Sequence, residues 1–222
     1  MYLDVIPSPY SLLRRYIDPV AARYTAITKS NVCAVTVVGA RAAPYVEDKE
    51  KHAKYSLGTK KVAFSGAILI EQNDAQSLEQ DEEITLMNWG NAIVRNITHS
   101  LNPLNAFKNV TAVELELHLQ GDVKKTKKKI TWLSKDQELI PVELVDFDYL
   151  ITKDKLDEED AVEDFLTKET EFRTEAWADC NVAELREGDV MQFDRKGYFR
   201  VDRPFLHGKP AVLFQIPTGK SK

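Results

Sequence analysis

The sequence contains no apolar run close to the roughly 18 residues that a membrane-spanning helix needs. Its opening segment, residues 1–15, lacks the basic stretch and the apolar core of a secretory signal. Cysteine is scarce, because only Cys33 and Cys180 occur and they form no CxxC pair. The four histidines are scattered without metal-ligand spacing. These absences predict a reduced intracellular protein without membrane segments, a disulfide framework or a metal site.

The residue patterns of common catalytic and nucleotide-binding motifs are also missing. There is no phosphate-binding loop, no GxSxG nucleophile turn, no HExxH zinc motif and no GxGxxG dinucleotide motif. Ser134 and Lys135 stand at the end of an expected strand and lack the neighbours of a nucleotide-binding loop. Adjacent acids such as Glu158 and Glu159 lie in a highly charged segment, where solvent exposure explains them. We therefore assign no catalytic residue and expect the chain alone to be catalytically inactive.

Charge is unevenly distributed along the 222 residues, which carry a formal net charge of −5. Residues 153–175 hold ten acids against four bases, a net charge of −6. Residues 108–135 hold seven bases against three acids, a net charge of +4. Such polarity suits a protein that attracts a polyanion to one face and repels it from another.

The basic region contains five lysines within six residues, Lys124, Lys125, Lys127, Lys128 and Lys129. We expect them on a β-strand, since Ile130 and Trp132 alternate directly after them. An RNA backbone would neutralise such a row of ammonium groups. A solvated strand face that prevents edge-to-edge aggregation would explain the same row, so the run alone does not decide between the two.

The hydrophobic pattern has a period of two along most of the chain, which is typical of β-strands. Turn-forming residues separate the expected strands, which cover residues 32–38, 60–64, 67–71, 83–89, 92–97, 110–119, 128–133 and 139–147. Residues 156–167 and 175–186 have helix-like patterns, and a smaller β unit is expected over residues 189–202 and 211–217. This order predicts a barrel or sandwich, an acidic and partly helical connector, and a second β unit.

Six segments carry a family resemblance, in order and with matching spacing over about residues 16–217. They are IDPVAARYTAI (17–27), LGTKKVAFSGAILIEQNDA (57–75), ITLMNWGNAIV (84–94), GDVKKTKKKITWL (121–133), LIPVELVDFDYLITKDKL (139–156) and GDVMQFDRKGYFRVD (188–202). They resemble the C-terminal anticodon-binding region of the archaeal and eukaryotic type of glutamyl- and glutaminyl-tRNA synthetases. The first segment and MNWGN (87–91) are similar to the glutamyl branch.

The resemblance implies an all-β fold of two antiparallel β-barrels with an acidic, partly helical connector. The proximal anticodon-binding barrel is expected over residues 16–152. The connector and the distal barrel are expected over residues 153–222, with strands that can cross between the barrels. Residues 1–15 do not match the family, which favours a foreign leader, an alternative start or a misplaced gene boundary.

The resemblance also implies a partner, tRNA and in particular tRNA(Glu), and a cytoplasmic protein of translation that contacts other synthetase-complex proteins. In a full synthetase, a preceding Rossmann half with HIGH-like and KMSKS-like signatures uses ATP and magnesium. Neither signature occurs in this sequence, so we expect no cofactor in this chain. We therefore expect tRNA binding without aminoacylation.

By the same resemblance, Gln192 and Arg195 match positions that bind anticodon bases. A glutamine amide and a guanidinium fork can together read the edge of a pyrimidine. The two residues are three apart, so a regular strand would place them on opposite faces, and we expect a bend or bulge near 194–197. Without RNA binding, an outward position on a hairpin would explain Gln192, and an ion pair with Asp194 or Asp202 would explain Arg195.

Further RNA contacts are expected beside these two. Asn88, Trp89 and Asn91 are candidates for stacking on or bonding to bases, although Trp89 is equally well explained as barrel core. Residues expected to contact phosphates, which position RNA rather than specify its sequence, are Arg95, Lys124, Lys125, Lys127, Lys128 and Lys129.

Other functions remain open from the sequence. The chain could be a free-standing RNA-binding module, or a protein-interaction module that docks through the acidic connector. It could be a ribosomal-RNA-binding barrel, although the second β unit argues against that. The glutaminyl counterpart is the remaining alternative within the family.

Overall fold

The computed structural model describes residues 13–30, 32–100, 109–153 and 155–217. Strands and β-bridges account for 47% of the described residues, and helices for few. They build two nearly closed, barrel-shaped sheets of seven strands each and a separate two-stranded hairpin. The predicted all-β fold with two barrels is confirmed.

Short strands alternate with tight turns throughout. In chain order the strands are β1 (Ala22–Tyr24), β2 (Ala26–Thr28), β3 (Cys33–Val38), β4 (Tyr45–Glu50), β5 (Thr59–Phe64), β6 (Ala67–Ile70), β7 (Glu83–Leu86), β8 (Gly90–His99), β9 (Val110–Leu117), β10 (Lys129–Ile130), β11 (Trp132–Ser134), β12 (Ile140–Phe147), β13 (Glu171–Ala178), β14 (Val190–Phe193), β15 (Gly197–Arg203) and β16 (Ala211–Gln215). The helical elements are a π-helical turn (Leu13–Ile17), the α-helix α1 (Gln72–Ser77) and 3-10 turns at Val162–Phe165 and Cys180–Glu184.

Barrel 1 is the sheet with the strand order β10-β7-β8-β9-β3-β6-β11. Strand β3 shows how the sequence builds it, because Cys33, Val35 and Val37 are buried while the residues between them are exposed. Strands β10 and β11 form opposite edges of the sheet, yet only Thr131 separates them along the chain. This single residue brings both edges together and curls the sheet towards closure.

Barrel 2 is the sheet with the strand order β1-β14-β15-β16-β12-β13-β2. Its edge strands β1 and β2 are separated in sequence only by Thr25, so it is drawn together in the same way as barrel 1. The backbone N–H of Thr25 donates to Asp179 at 2.7 Å, which fixes this crossing point. Strands β1, β2 and β12 come from residues before 152 yet lie in barrel 2, whereas the proximal unit was expected over residues 16–152.

The hairpin β4–β5 covers an aromatic cluster in the core of barrel 1. Phe64 contacts Trp89 and Trp132 with ring centroids 5.2 and 5.5 Å apart, and the two indole rings lie 4.9 Å apart. The indole N–H of Trp132 donates to the carbonyl of Met87 at 2.8 Å, so its buried polar group is paired. Trp89 therefore packs in the core, which is the alternative that the sequence left open for it.

Strand direction differs from the purely antiparallel expectation. Parallel pairs join β3 to β9 in barrel 1 and β12 to β16 in barrel 2, and the short edge strands β10 and β1 also pair in parallel. The parallel partners are far apart in sequence, as such pairings require. Period-two patterns cannot reveal the direction of a partner strand.

Both predicted helices and the predicted lysine strand are wrong. Residues 156–167 contain only the 3-10 turn at Val162–Phe165, and residues 175–186 begin inside β13 and continue into the second 3-10 turn. Most of residues 122–128 form turns and bends, and among the five lysines only Lys129 lies in a strand. The first five residues of β13 are exposed, so its charged sequence resembles that of a solvent-exposed helix.

Candidate nucleic-acid interface

A tight turn joins β14 to β15 and carries Arg195, one of the two residues expected to bind anticodon bases. Residues Asp194–Lys196, the recognition turn, lie between Phe193 and Gly197, which pair across the hairpin. The N–H of Lys196 donates to the carbonyl of Phe193 at 3.0 Å. Arg195 has φ +67°, a left-handed conformation that costs a non-glycine residue about 1 kcal/mol. The expected bend is present, and strain at an exposed arginine is typical of a functional site.

The side chain of Arg195 crosses from barrel 2 to barrel 1. Its Nη1 and Nη2 donate to the two carboxylate oxygens of Asp74 in α1, at 2.5 and 2.7 Å, and Nη1 lies 3.4 Å from the hydroxyl of Thr131. The hydrogen bonds that Arg195 donates to Asp74 hold the pKa of Arg195 above its ordinary value. The partner of Arg195 is therefore neither Asp194 nor Asp202. Asp74 lies 121 positions away in the sequence, so sequence spacing could not indicate this pair.

Lys196, the next residue, makes the same crossing. Its ammonium group contacts Glu71 at 2.5 Å and the hydroxyl of Thr28 at 3.2 Å. The backbone N–H and the hydroxyl of Thr28 also donate to Glu71, at 2.8 and 2.9 Å. Burial alone would raise the pKa of Glu71, but the bonds from Lys196 and Thr28 hold it below its ordinary value. Glu71 is thus ionised and accepts the hydrogen bonds that join it to Thr28 and Lys196 of barrel 2.

Gln192 lies on β14, with Arg23 of β1 and Tyr198 of β15 directly opposite it. Its half-buried amide has a carbonyl oxygen without a hydrogen-bond partner among the described residues, and the same is true of the Nε of Arg23. Arg23 and Tyr198 both donate to Asp18, at 3.1 and 2.8 Å. A donor and an acceptor therefore lie unpaired on neighbouring strands, beside the recognition turn. Both atoms are shielded from solvent in this fold, so RNA reaches them only if neighbouring side chains move.

An aromatic cleft of about 380 Å³ opens on barrel 1 beside Asn88. The guanidinium of Arg41 lies 4.0 Å from the ring centre of Tyr45, which stacks on Phe64 at 5.0 Å. Asn88 is exposed and has φ +65°, and the turn that it forms turns Trp89 towards the core. Tyr45 and Arg41 therefore offer the flat, cationic surface on which unstacked bases pack.

Asn91, in contrast, is fully buried. Its amide oxygen accepts from the hydroxyl of Thr85 at 2.8 Å, and its amide nitrogen donates to Glu83 at 3.0 Å. Gly121 approaches this amide so closely that a Cβ there would clash with it. Asn91 is therefore inaccessible to RNA in this fold. Its hydrogen bonds instead stabilise the turn between β7 and β8.

The lysine loop, residues 122–128, divides its charges between solvent and the protein. Lys124, Lys125 and Lys127 are exposed. Lys128 is half-buried and pairs with Glu82 at 2.6 Å. Lys129, just beyond the loop, is also half-buried and donates to the carbonyls of Val123 and Thr126, at 2.5 and 2.7 Å. Two of the five lysines therefore hold the loop together, and three remain available for phosphates.

Arg95 is exposed but already paired. It bonds to Asp81 at 3.0 Å and to Glu116 at 2.6 Å, and these two bonds hold its pKa above the ordinary value. Two carboxylates surround the guanidinium, so a phosphate would meet repulsion at this position. Arg95 is the weakest of the expected phosphate contacts.

Sequence reasoning missed three parts of this surface. Asp74 and Glu71 lie in polar sequence without periodicity, and Arg23 gave no signal before its pairing with β14 was known. Arg41 and Tyr45 lie before and at the start of β4, whose charged sequence has no hydrophobic pattern typical of a strand. Within residues 13–30, 32–100, 109–153 and 155–217, no group of His, Cys, Asp and Glu side chains could hold a metal ion. The same residues contain no helix that could span a membrane.

Two family models match the chain, over residues 21–118 and residues 129–202. Both describe the anticodon-binding domain of class I tRNA synthetases (E and Q). Together they cover the strands of barrel 1 and all strands of barrel 2 except the end of β15 and β16.

Curated proteins similar to the chain agree with these matches. A probable cytoplasmic glutamate–tRNA ligase of Schizosaccharomyces pombe is 53% identical over 94% of the chain, and the cytoplasmic glutamate–tRNA ligase of Saccharomyces cerevisiae is 46% identical over 94%. The chain spans 28% of the length of each. A bifunctional glutamate/proline–tRNA ligase of Mus musculus is 32% identical over 94% of the chain and 14% of that protein. The chain belongs to the anticodon-binding domain family of the class I tRNA synthetases for glutamate and glutamine.

Proposed function

We propose that this chain is the anticodon-binding part of a cytoplasmic glutamate–tRNA ligase and that it recognises tRNA(Glu). The family match and the similarity to ligases for glutamate support this function. The observation that carries it is the recognition turn, where Arg195 has a left-handed backbone and a half-exposed side chain.

We assign base reading to Gln192 and Arg195 and base stacking to the aromatic cleft with Asn88 at its rim. Hydrogen bonds to base edges and flat packing surfaces are how proteins read unstacked RNA loops. Lys124, Lys125 and Lys127 contribute phosphate contacts, which add affinity for any RNA. RNA binding of this kind requires no metal or cofactor from the chain.

We extend the proposal to the setting of the protein. The similar protein of Mus musculus joins glutamate and proline ligase activities in one chain, which supports association with other synthetases as a further property. ATP and magnesium would act only in a catalytic part, such as the additional length of the relatives provides.

A binding experiment tests the proposed function. The purified chain is titrated with a tRNA(Glu) transcript, with the same transcript carrying an altered anticodon, and with a tRNA of another specificity, at one salt concentration. We expect the unaltered tRNA(Glu) to bind at least about tenfold more tightly than the altered one. Equal affinity for all three would refute anticodon recognition, and no binding to any would refute the RNA-binding function.

A further inference from the structure

Both basic residues of the recognition turn are held by acids of the other barrel. Arg195 bonds to Asp74 through two N–H groups, and Lys196 bonds to Glu71. Glu71 directly precedes α1 and Asp74 lies within it, so one short helix of six residues receives both contacts. These two adjacent ion pairs run between the barrels, so they do not contribute to the strand pairing that curls either sheet.

The bond to Asp74 leaves part of the Arg195 fork free. The carboxylate occupies one N–H of Nη1 and one of Nη2, which is the end of the guanidinium. The side of the group, formed by Nε and the remaining N–H of Nη2, has no partner among the described residues. These two donors lie in one rigid plane, and that edge matches two acceptors on a base.

The two side chains of the Arg195–Asp74 pair differ in their exposure to solvent. The side chain of Asp74 is 9% exposed, whereas that of Arg195 is 43% exposed. The carboxylate is therefore buried in barrel 1, and the arginine side chain that reaches it from barrel 2 stays partly exposed. A bidentate bond to a fixed, buried carboxylate restricts the guanidinium to one orientation.

A second set of contacts joins the hairpin β4–β5 to barrel 2 near the same turn. The buried ammonium of Lys60 in β5 donates to the carbonyl of Arg23 in β1 at 2.7 Å and lies 4.0 Å from Asp194. The amide of Asn181 bonds to both the N–H and the carbonyl of Lys61, each at 2.8 Å. The recognition turn is thus held at Asp194 by the hairpin, and at Arg195 and Lys196 by the acids at α1.

We propose that Asp74 and Glu71 are positioning residues for anticodon discrimination. They clamp the recognition turn of barrel 2 onto α1 of barrel 1, so that the free edge of Arg195 is presented to the RNA in one orientation. The inference rests on the proposed function. It adds that specificity depends on two acids that need not touch RNA, although acids near an RNA site would otherwise only repel phosphates.

The test is the ratio of affinities for the tRNA(Glu) transcript and the transcript with an altered anticodon. For Asp74→Asn, we expect this ratio to fall about tenfold, which corresponds to about 1.4 kcal/mol. The dependence of binding on salt should stay unchanged, because no phosphate contact is removed. Asp136→Asn, an equal change at an exposed acid outside this surface, should leave the ratio as it is.

Each outcome decides the question. Wild-type protein that does not discriminate between the transcripts would overturn the proposed function itself. Discriminating wild-type protein with an unchanged ratio for Asp74→Asn would overturn only the clamp, and so would a variant with tighter binding, because Asp74 would then compete with RNA. If Asp74→Asn lowers the melting temperature so far that the protein is unfolded, Glu71→Gln replaces it, and a preserved ratio there overturns the proposal.

Discussion

The guanidinium of Arg195 in barrel 2 donates hydrogen bonds to both carboxylate oxygens of Asp74 in barrel 1, at 2.5 and 2.7 Å. The same arginine has φ +67°, so its backbone is strained where its side chain is most tightly held. Charge-assisted bidentate bonds are among the strongest that proteins make, and they can offset a local cost of about 1 kcal/mol. This pair joins the two barrels at the turn that we assign to base reading.

The first prediction concerns base discrimination by Arg195. Arg195→Ala should cost about 1–3 kcal/mol of binding free energy for tRNA(Glu) and much less for a tRNA with an altered anticodon, because a base-edge contact is lost. Both affinities are measured at one salt concentration. Arg200→Ala, a change at an exposed arginine on β15, is the control and should affect both tRNAs alike. Equal losses for Arg195→Ala on both tRNAs would assign this residue to the RNA backbone.

The second prediction separates the free lysines from those that hold the lysine loop. Replacing Lys124, Lys125 and Lys127 together by Ala should weaken binding to every tRNA. It should also flatten the plot of log affinity against log salt by about 2 to 3 in slope, since each phosphate contact contributes about 0.7–0.9. The control variant replaces three exposed lysines elsewhere, Lys54, Lys168 and Lys209. Identical slopes for the two triple variants would show that the loop is only a solvated surface.

The strands of both barrels were largely predictable because burial on one face imposes a period of two. Strand β3 alternates strictly between buried and exposed residues, and its bounds lie within one residue of the expected 32–38. Strand β4 was missed because its YVEDKE sequence is mostly charged and no residue in it is fully buried. A hairpin that is partly exposed to solvent needs few apolar residues, so its sequence shows no hydrophobic periodicity.

The candidate site was less predictable than the fold, since its geometry depends on contacts between distant segments. Gln192 and Arg195 could be selected by resemblance, and the turn between them followed from their spacing. Asp74 could not, because the six residues of α1 have no apolar periodicity and its partner Arg195 lies 121 positions away in the sequence. Lys128 and Asn91 look like free polar residues in the sequence, yet Glu82 and Thr85 bind them in the fold.

The third prediction tests whether the side chain of Asn88 contacts RNA. Because Asn88 has φ +65°, Asn88→Ala should lower the free energy of unfolding by about 1 kcal/mol, whereas Asn88→Gly should leave it nearly unchanged. Asn88→Gly therefore removes the amide without straining the turn. We expect this variant to bind tRNA(Glu) less tightly at an unchanged melting temperature. Wild-type affinity in Asn88→Gly would limit Asn88 to a role in the turn.

The fourth prediction concerns catalysis. The purified chain, given ATP, magnesium and glutamate with tRNA(Glu), should show no glutamate-dependent pyrophosphate exchange above background. Amino-acid activation requires a site that aligns the α-phosphate of ATP with a carboxylate, and no motif in this sequence provides one. A full-length glutamate–tRNA ligase serves as the positive control. Exchange by the chain alone would refute the assignment of both barrels to binding.

The fifth prediction follows from the ionised state of Glu71. Its pKa in the folded protein lies below the ordinary 4.5, so ionised Glu71 stabilises the fold above about pH 4.5, and this contribution is lost as the pH falls through the lowered value. Glu71→Gln should therefore be less stable than the wild type at neutral pH, by about 1 kcal/mol for a half-buried pair. The difference should shrink towards zero at acidic pH. Urea unfolding of both proteins between about pH 3 and about pH 7 measures it. Glu187→Gln, a change at an exposed acid, should show no such trend, and a pH-independent difference for Glu71→Gln would contradict the prediction.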